Sequence, residues 1–467
     1  MSGESQGGAR GSGEMEKNEA FYHISSQAAV VYLIWQEIRK PVDALVKRII
    51  AEVSKSHNLF TGEAILVGSR AQDLHVQVQS CSLDYDFLVP IRYNTNLILT
   101  SCQFCKLDTQ KGCLPVCRSS KTPVPANLCG NKVMVHQTPE PENSLCPHYV
   151  MTEFCRCVQE ALADDPFGRE QEQRQDRDAS TRQSERRKFV PGVSNVKLKD
   201  MNNKPKCPAV QLSAEVNGRL VSIDLVPSIR NKEEVSKHWL KLDLSWLSDW
   251  WDREQGAKQR KPTWNITEID KTGTYLVAKG SYWRLTFSLA ETQLLKDIDA
   301  DGGCRWLALR KLKKINMKQW VPRYGKVLTS YHLKTVLFWA SYLNPETENW
   351  ATELDGLGTL LEVLEFCLEK RHLPSYFLHS INLFDWHRSE EENSLKNRML
   401  EVLRLEVRLM RCSPEHYLQL SYDLAKPQGP GPFIQRAREF DDFITKHQKD
   451  IDEFKEREIP EESESRD

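Results

Sequence analysis

No apolar run in this sequence is long enough to cross a bilayer. The longest, Ala28 to Trp35, has eight residues, against the roughly 20 that a membrane helix needs. The opening stretch, MSGESQGGARGSGEMEK, is polar and rich in Gly and Ser. It lacks the apolar core of a secretory signal, so the expected home is cytosolic or nuclear, with the cytoplasm preferred. Without secretion the thirteen cysteines read as reduced thiols or metal ligands, not disulfides. Charge of one sign is not in excess either. With 64 Lys and Arg against 65 Asp and Glu, the balance names no polyanionic partner, and only local patches could bind one. No internal repeat is visible.

What is there suits a globular protein. The chain has 467 residues, 40% of them hydrophobic and 9% aromatic, enough for two or three domain-sized units with a sizeable core. Residues 1–17 read as a disordered tail. From Ser26 to His57, apolar residues recur at Ile34, Ile38, Val42, Leu45 and Ile49, the spacing of one long amphipathic helix, which Pro41 is expected to kink. Lys40, Lys47, Arg48 and Lys55 form a possible basic stripe on its outer side. A plain solvated face reads equally well.

The stretch Leu83-Asp84-Tyr85-Asp86-Phe87 alternates as a strand does. Asp84 and Asp86 project from one face, and Leu83, Tyr85 and Phe87 from the other. Two like charges on one strand face repel and lose hydration, so a cation between them is expected. A second strand pattern, residues 209–230, reads as a hairpin turning at Asn217-Gly218. Its second strand carries a lone carboxylate, Asp224, between Ile223 and Leu225. If the two strands pair, three carboxylates can meet as hard oxygen ligands for divalent cations. Gly68-Ser69 follows the apolar AILV, fifteen residues before Asp84. A small pair there lets backbone amides and a hydroxyl approach a phosphate. Each element is weak alone, and surface carboxylates on edge strands would explain them. The ordered set is stronger than its parts.

Eight cysteines fall between Ser101 and Cys157. Cys102, Cys105, Cys113 and Cys117 could supply four thiolates to a structural zinc, with Cys129, Cys146 and His148 as further candidates. The spacings match no familiar module, and small buried hydrophobes are the alternative. Residues 164–188 are charged and nearly free of apolar side chains, so a flexible insertion is expected. Apolar periodic segments at 283–297, 304–317, 330–343, 355–370 and 394–411 suggest a helical second half. The charged stretch after Pro427 reads as a loose tail.

The ordered set of GS, DxD and a distant strand Asp resembles the nucleotidyltransferases of the cyclic GMP–AMP synthase type, the cGAS-like receptors, with their Mab-type relatives. YWRLTFSLAETQLL (282–295), GCRWLALRKLKKI (303–315), SYHLKTVLFWA (330–340) and LPSYFLHSINLF (373–384) are similar to that family's helical motifs. The likeness runs from about residue 26 to 410. It implies an α/β bilobal fold: a mixed-sheet N-lobe (18–280) backed by the long helix and carrying insertions at 101–190, a helical C-lobe (281–426), and a charged tail (427–467). Asp84, Asp86 and Asp224 then match an acidic triad for two Mg²⁺ or Mn²⁺ ions, and Gly68 and Ser69 match a phosphate-holding turn. Arg284 and Glu291 match acceptor-nucleotide contacts, and Lys313 a phosphate contact. Ser330, Tyr331 and Lys334 match the donor wall, with Tyr331 stacking on a base. The chemistry suits these types, since lysine is a point charge for phosphate and an aromatic face stacks any base. Each also has an ordinary structural reading, as core aromatic, helix ion pair or solvated lysine.

The resemblance implies synthesis of a cyclic dinucleotide from ATP, GTP or other nucleoside triphosphates, on sensing a nucleic-acid duplex in innate immunity. DNA-sensing members carry a His/Cys zinc insertion before the cysteine–arginine motif. Here only twelve residues separate Glu291 from Cys304, with no His or Cys among them. Double-stranded RNA is therefore favoured over DNA. A non-enzymatic Mab-type scaffold and a linear oligonucleotide synthase of the oligoadenylate type are the rival expectations.

Overall fold

The structure is a computed structural model. It describes residues 37–72, 83–91, 113–114, 147–163, 190–199, 209–231, 234–236, 246, 264–279, 282–296, 298–385, 390–419 and 428–458. The N-terminal tail, the cysteine stretch from 102 to 146 apart from the backbone of 113–114, and the charged insertion at 164–188 lie outside the described residues.

The amphipathic helix α1 is described over 37–56 and runs unbroken across Pro41. Its stripe of Val42, Leu45, Val46, Ile49 and Val53 is almost fully buried. Next come β1 (Ile65–Val67), the single turn α2 (Gly68–Ala71), β2 (Leu83–Pro90), β3 (Cys113–Leu114) and α3 (Pro147–Ala163). The strands β4 (Val193–Leu198), β5 (Val210–Val216) and β6 (Arg219–Asn231) follow. The hairpin β5–β6 turns where the sequence indicates. Asn217 and Gly218 have φ of 49° and 74°, two successive left-handed residues of the kind that matches strand twist. Then α4 (Ile266–Thr272), β7 (Thr274–Lys279) and β8 (Tyr282–Thr286) complete an eight-stranded sheet of order β1-β2-β6-β7-β8-β3. The strands β5 and β4 extend it from the first half of β6. β2 and β6 run parallel and the other pairs antiparallel, so the sheet is mixed.

One face of the sheet is apolar and covered. Leu83, Tyr85 and Phe87 of β2 are 8%, 0% and 2% exposed, and with Val221, Ile223 and Leu225 they join the α1 stripe in one core. The helix α3 packs over the same sheet, and Phe60 meets its Phe154 with ring centroids 5.0 Å apart. The other face of β2 and β6 divides in two. Its second half is a small apolar patch of Val67, Leu88, Tyr275 and Val277. Its first half carries the polar residues.

The second half of the chain is helical: α5 (Ser288–Lys296), α6 (Arg305–Ile315), a π-turn (Asn316–Trp320), α7 (Val321–Tyr324), α8 (Ser330–Leu343), α9 (Glu353–Lys370), α10 (Glu390–Cys412), α11 (Pro414–Gln419) and α12 (Gly431–Glu458). The apolar side chains of both lobes form one continuous core. Two sequence expectations are corrected. The helical pattern that starts at 283 opens instead as strand β8, because Trp283 and Leu285 face the core while Arg284 is exposed, a period of two. The stretch expected as a loose tail contains the 28-residue helix α12. Phe433, Ala437, Phe440, Ile444, His447, Ile451 and Phe454 recur at spacings of four and three. Five of them, Phe433, Ala437, Phe440, Ile451 and Phe454, are 0–3% exposed, and α12 packs on α10.

Candidate active site

The polar half of the sheet face is built in cross-strand rows. Parallel pairing of β2 with β6 sets Asp86 opposite Asp224 and Asp84 opposite Ser222. The rows continue onto β5, where Gln211 faces Asp224 and Ser213 faces Ser222. On the other side Val67, the last residue of β1, is opposite Asp86. Cross-strand partners share a face, so Asp84, Asp86 and Asp224 all point to the helical lobe's side of the sheet. Burial pushes the Asp86 carboxyl up to about 6, and the charges of Asp224 and Asp84 add to the rise, against the pull of Lys334. Gln211 donates from Nε2 to the two oxygens of Asp224, at 3.2 and 3.4 Å, and so fixes its orientation. Among the described residues no group of three His, Cys, Asp or Glu stands ready to hold a metal ion. The three carboxylates share one face of the sheet without closing on a common point.

The turn α2 abuts this row. Gly68 has φ +72°, and a Cβ built there would lie 2.3 Å from Oδ2 of Asp86. Both the backbone angle and the space therefore demand glycine. The Gln72 amide donates to the Gly68 carbonyl at 3.2 Å and closes the turn. Ser69, inside it, receives a hydrogen bond from Lys313 Nζ of α6 at 3.3 Å. Lys313 is 4% exposed. Burial, then the charges of Lys334, Arg310 and Arg70, push its ammonium down to about 8. Lys313 thus lies among other cations, one of which, Arg70, belongs to the turn itself.

Gln72 ties the turn to the helical lobe. Its side chain accepts from Lys334 Nζ at 3.2 Å and donates to Thr292 Oγ1 at 3.3 Å. Its carbonyl accepts from the indole of Trp306 at 3.4 Å. Lys334 of α8 is ion-paired with Glu291 of α5, both nearly buried, and its ammonium lies 5.5 Å from the centre of the Tyr331 ring. Tyr331 is 37% exposed, unusual for a large aromatic here. Its helix starts with a capping box of Thr329 and His332. The Thr329 amide donates to Nδ1 of His332 at 3.2 Å, and burial, helped by the charge of Lys396, pushes that imidazole down to about 4. The cap therefore stays neutral and sets Ser330, which is exposed, and Tyr331 at the mouth of the cleft. Arg284, exposed on β8, acts electrostatically on the Tyr331 phenol.

The cleft thus brings together Asp84, Asp86, Asp224, Gly68, Ser69, Glu291, Lys313, Tyr331 and Lys334. Sequence reasoning missed Gln72 and Gln211, and a lone glutamine carries no signal that would find it. The basic helix lies elsewhere. α1 shares its core with the opposite face of the sheet. Lys40, Lys47 and Lys55 are exposed and Arg48 half-buried, and Lys55 pairs with Glu52 at 2.7 Å. Cys102, Cys105 and Cys117 of the zinc quartet lie outside the described residues, as do Cys129 and Cys146. Cys113 contributes backbone to β3, opposite Arg284. His148 is exposed on α3. Cys155 and Cys157 on α3 are free thiols, and burial lifts both above the usual range, as expected of packing residues.

The segment 298–304 before α6 folds as a turn. Asp299 accepts from the amides of Arg305 and Trp306 at 2.8 and 2.9 Å, capping α6. Asp301 pairs with Arg305 at 2.7 Å. No helix among the described residues is long and apolar enough to cross a membrane.

Comparison with known proteins agrees with this architecture. Residues 75–297 match the Mab-21 protein nucleotidyltransferase domain, and residues 304–402 match the Mab-21 protein HhH/H2TH-like domain. The chain is 27% identical over 220 residues to protein mab-21-like 3 of Danio rerio, a match covering 45% of this chain and 53% of that one. It is 35% identical over 159 residues to cyclic GMP-AMP synthase-like receptor 3 of Stylophora pistillata, covering 32% of this chain and 45% of the receptor. The chain thus spans about half the length of the curated relatives it matches. With two adjoining domains matched over most of its length, on a mixed sheet joined to a helical lobe, the chain belongs to the Mab-21 family of nucleotidyltransferase-fold proteins, which includes a cGAS-like receptor among its relatives.

Proposed function

We propose that this protein is a metal-dependent nucleotidyltransferase that joins nucleoside triphosphates into a cyclic dinucleotide when it senses a nucleic-acid duplex. The observation that carries the reading is the row Gln211–Asp224–Asp86–Val67, which runs straight into Gly68 and Ser69. It sets an acidic row beside a phosphate-sized turn, with the buried Lys313 across from it.

The donor types, though not yet gathered on one point, suit a pair of magnesium or manganese ions. The donor set is all carboxylate oxygen, which suits hard cations. The mutual repulsion that raises Asp86 is the penalty a cation would remove. When bound, such ions neutralise phosphate charge and activate an attacking hydroxyl. The protein's own groups do the rest. The amides of the Gly68–Ser69 turn, the Ser69 hydroxyl and the Lys313 ammonium hold the donor triphosphate. Tyr331 offers a face for the donor base, and Lys334 and Ser330 edge the same wall. Arg284 and Glu291 position the acceptor base. Asp224, oriented by Gln211, takes the proton of the acceptor hydroxyl as it attacks the α-phosphorus and pyrophosphate leaves. A second transfer closes the ring. ATP and GTP are the leading substrates.

Double-stranded RNA is the favoured activator and Lys40, Lys47, Arg48 and Lys55 its phosphate contacts. The turn at 298–304 contains no histidine and only one cysteine, Cys304, so it lacks the His/Cys set of a zinc insertion for gripping DNA. A cytoplasmic, immune-sensing role follows from that reading. The test incubates the purified chain with labelled ATP, GTP, CTP and UTP, Mg²⁺ or Mn²⁺, and either duplex, and identifies products by mass. A cyclic product, formed faster with RNA, supports the proposal. Linear products would point to an oligonucleotide synthase. Nucleotide binding without any product would favour a scaffold, the reading suited to carboxylates that do not converge on one point.

A further inference from the structure

The row beside the acidic pair ends in lysines. Lys197 of β4 faces Ser213, Ser213 faces Ser222, and Ser222 faces Asp84. One residue past β4, the Lys199 amide donates to the Gln211 carbonyl at 2.9 Å, so Lys199 joins the row of Gln211, Asp224 and Asp86. Lysines on an edge strand ordinarily point to water and deter edge pairing. Lys199 does not simply do this. Its ammonium donates to Ser222 Oγ at 2.9 Å, and Ser222 is 7% exposed. The charge is thereby folded over the polar face of the sheet, diagonally across from Asp224.

This cation sits on the opposite side of the acidic row from Gly68, Ser69 and Lys313. In-line phosphoryl chemistry needs the leaving group and the attacking hydroxyl on opposite sides of the phosphorus. If the turn and Lys313 hold the donor's phosphates, the acceptor's sugar lies toward β6 and β5. Residues two apart on a strand are about 6.6 Å apart, so Ser222 is one sugar's length from Asp224. Arg284 on β8 shares this face through Val277 and Ser228, and lies from Asp224 along β6 in the direction opposite to Ser222. An acceptor with its hydroxyl at Asp224 and its base toward Arg284 turns its 5′ end toward β4.

We propose that Lys199, steered by Ser222, with Lys197 beside it, is a subsite for the 5′-phosphate chain of the acceptor nucleotide. It selects a phosphorylated acceptor over a bare nucleoside. This rests on the proposed reaction for the word acceptor, but the site itself is an anion site that binding alone can read.

The experiment uses the full chain, wild type, Lys199→Ala and Lys199→Arg. The first arm measures equilibrium binding of GTP and of guanosine in chelator, in a Lys313→Met background that removes the donor-side phosphate contact. Lys199→Ala is expected to lower the affinity for GTP about tenfold, the loss of one charged contact, and to leave guanosine binding where it was. Lys199→Arg should restore most of the GTP affinity. The second arm measures turnover with limiting labelled ATP and either GTP or guanosine as acceptor. The preference for GTP should collapse in Lys199→Ala, through KM and not kcat. Equal loss for GTP and guanosine would assign Lys199 to the sheet's integrity or the acidic row, and no loss for either would remove it from the site. Both results overturn the proposal. A wild type that makes no product defeats the proposed reaction, and the binding arm still decides the subsite.

Discussion

Replacing Lys313 with methionine should make the empty protein more stable and the nucleotide-binding protein worse. The side chain is 4% exposed, and burial with the charges of Lys334, Arg310 and Arg70 brings its ammonium from 10.5 to about 8. At about 1.4 kcal/mol per pK unit, holding that charge costs the folded state on the order of 3 kcal/mol at neutral pH. Methionine keeps the stem's volume and removes the charge. It also removes the hydrogen bond to Ser69, at 3.3 Å, worth about 1 kcal/mol. The expected net gain is about 2 kcal/mol at pH 7 in chelator, read by equilibrium urea unfolding. The pH dependence fixes the cause. The folded state releases this proton near pH 8 and the unfolded chain near 10.5, so between those values the unfolded chain holds more protons and stability rises with pH. The wild type should therefore gain on the variant across that window. A triphosphate favours the charged form, so wild-type affinity for ATP with magnesium should fall as pH climbs above about 8, while the variant's stays weak and flat. A Lys313→Met protein that is less stable at pH 7 and binds ATP as before would refute the reasoning and make Lys313 a structural lysine.

Four further outcomes are expected. Asp84→Asn with Asp86→Asn should abolish nucleotidyl transfer, by at least about a hundredfold, and leave unfolding in chelator unharmed. In the wild type, Mn²⁺ protection against unfolding should fade as pH drops through about 6, where Asp86 takes up its proton, and the double variant should show no protection at any pH. Gln211→Ala should slow turnover roughly tenfold, as loss of an orienting partner does, with partial recovery at high Mn²⁺; an unchanged rate would leave the hydrogen bonds to Asp224 without a role. Lys47→Glu with Arg48→Glu should weaken duplex binding and flatten its salt dependence by about two counterions, and unchanged affinity in a titration would remove α1 from the ligand surface.

How much of this was legible in the sequence depended on periodicity. The hairpin at Asn217-Gly218 and the alternating β2 were readable because a period of two and a left-handed turn leave marks at fixed spacing. The helices α6, α8, α9 and α10 were readable through their buried stripes. Helix α12 was hidden because its core stripe is only a quarter of a strongly charged segment, and charge dominated the reading. The opening of the 283–297 segment misled because four residues cannot separate a strand from a helix. At the site, the types Asp, Gly, Ser and Lys were visible through their order. The register that sets Asp86 against Asp224 was not, since nothing local to either strand encodes it. Gln72, Gln211 and Lys199 were invisible for a related reason: each matters only through a partner 13 to 262 positions away.

The site gathers acidic groups on the sheet and basic groups around Lys313, and each set repels within itself. Asp84, Asp86 and Asp224 crowd one row, and their repulsion shows in the raised Asp86. Lys313, Lys334, Arg310 and Arg70 crowd the other side, and theirs shows in the lowered Lys313. Some attraction does cross between the groups, since the charge of Asp84 acts on Arg70. The fold also pairs Lys334 with Glu291, and Lys334 still reaches Asp86 as a weak attraction. Beyond that, Gly68 and Ser69 stand between the two halves, with Gln72 pinning the turn to three helices of the other lobe. The separation is thus held by backbone and by neutral hydrogen bonds. An anion alone would relieve only the basic half, and a divalent cation only the acidic one. In the proposed reaction a triphosphate carrying divalent cations would relieve both at once, its phosphates at the lysines and its cations at the carboxylates. That strain, which the core of both lobes has to outweigh, is what the metal-bound nucleoside triphosphate of the proposed function would relieve.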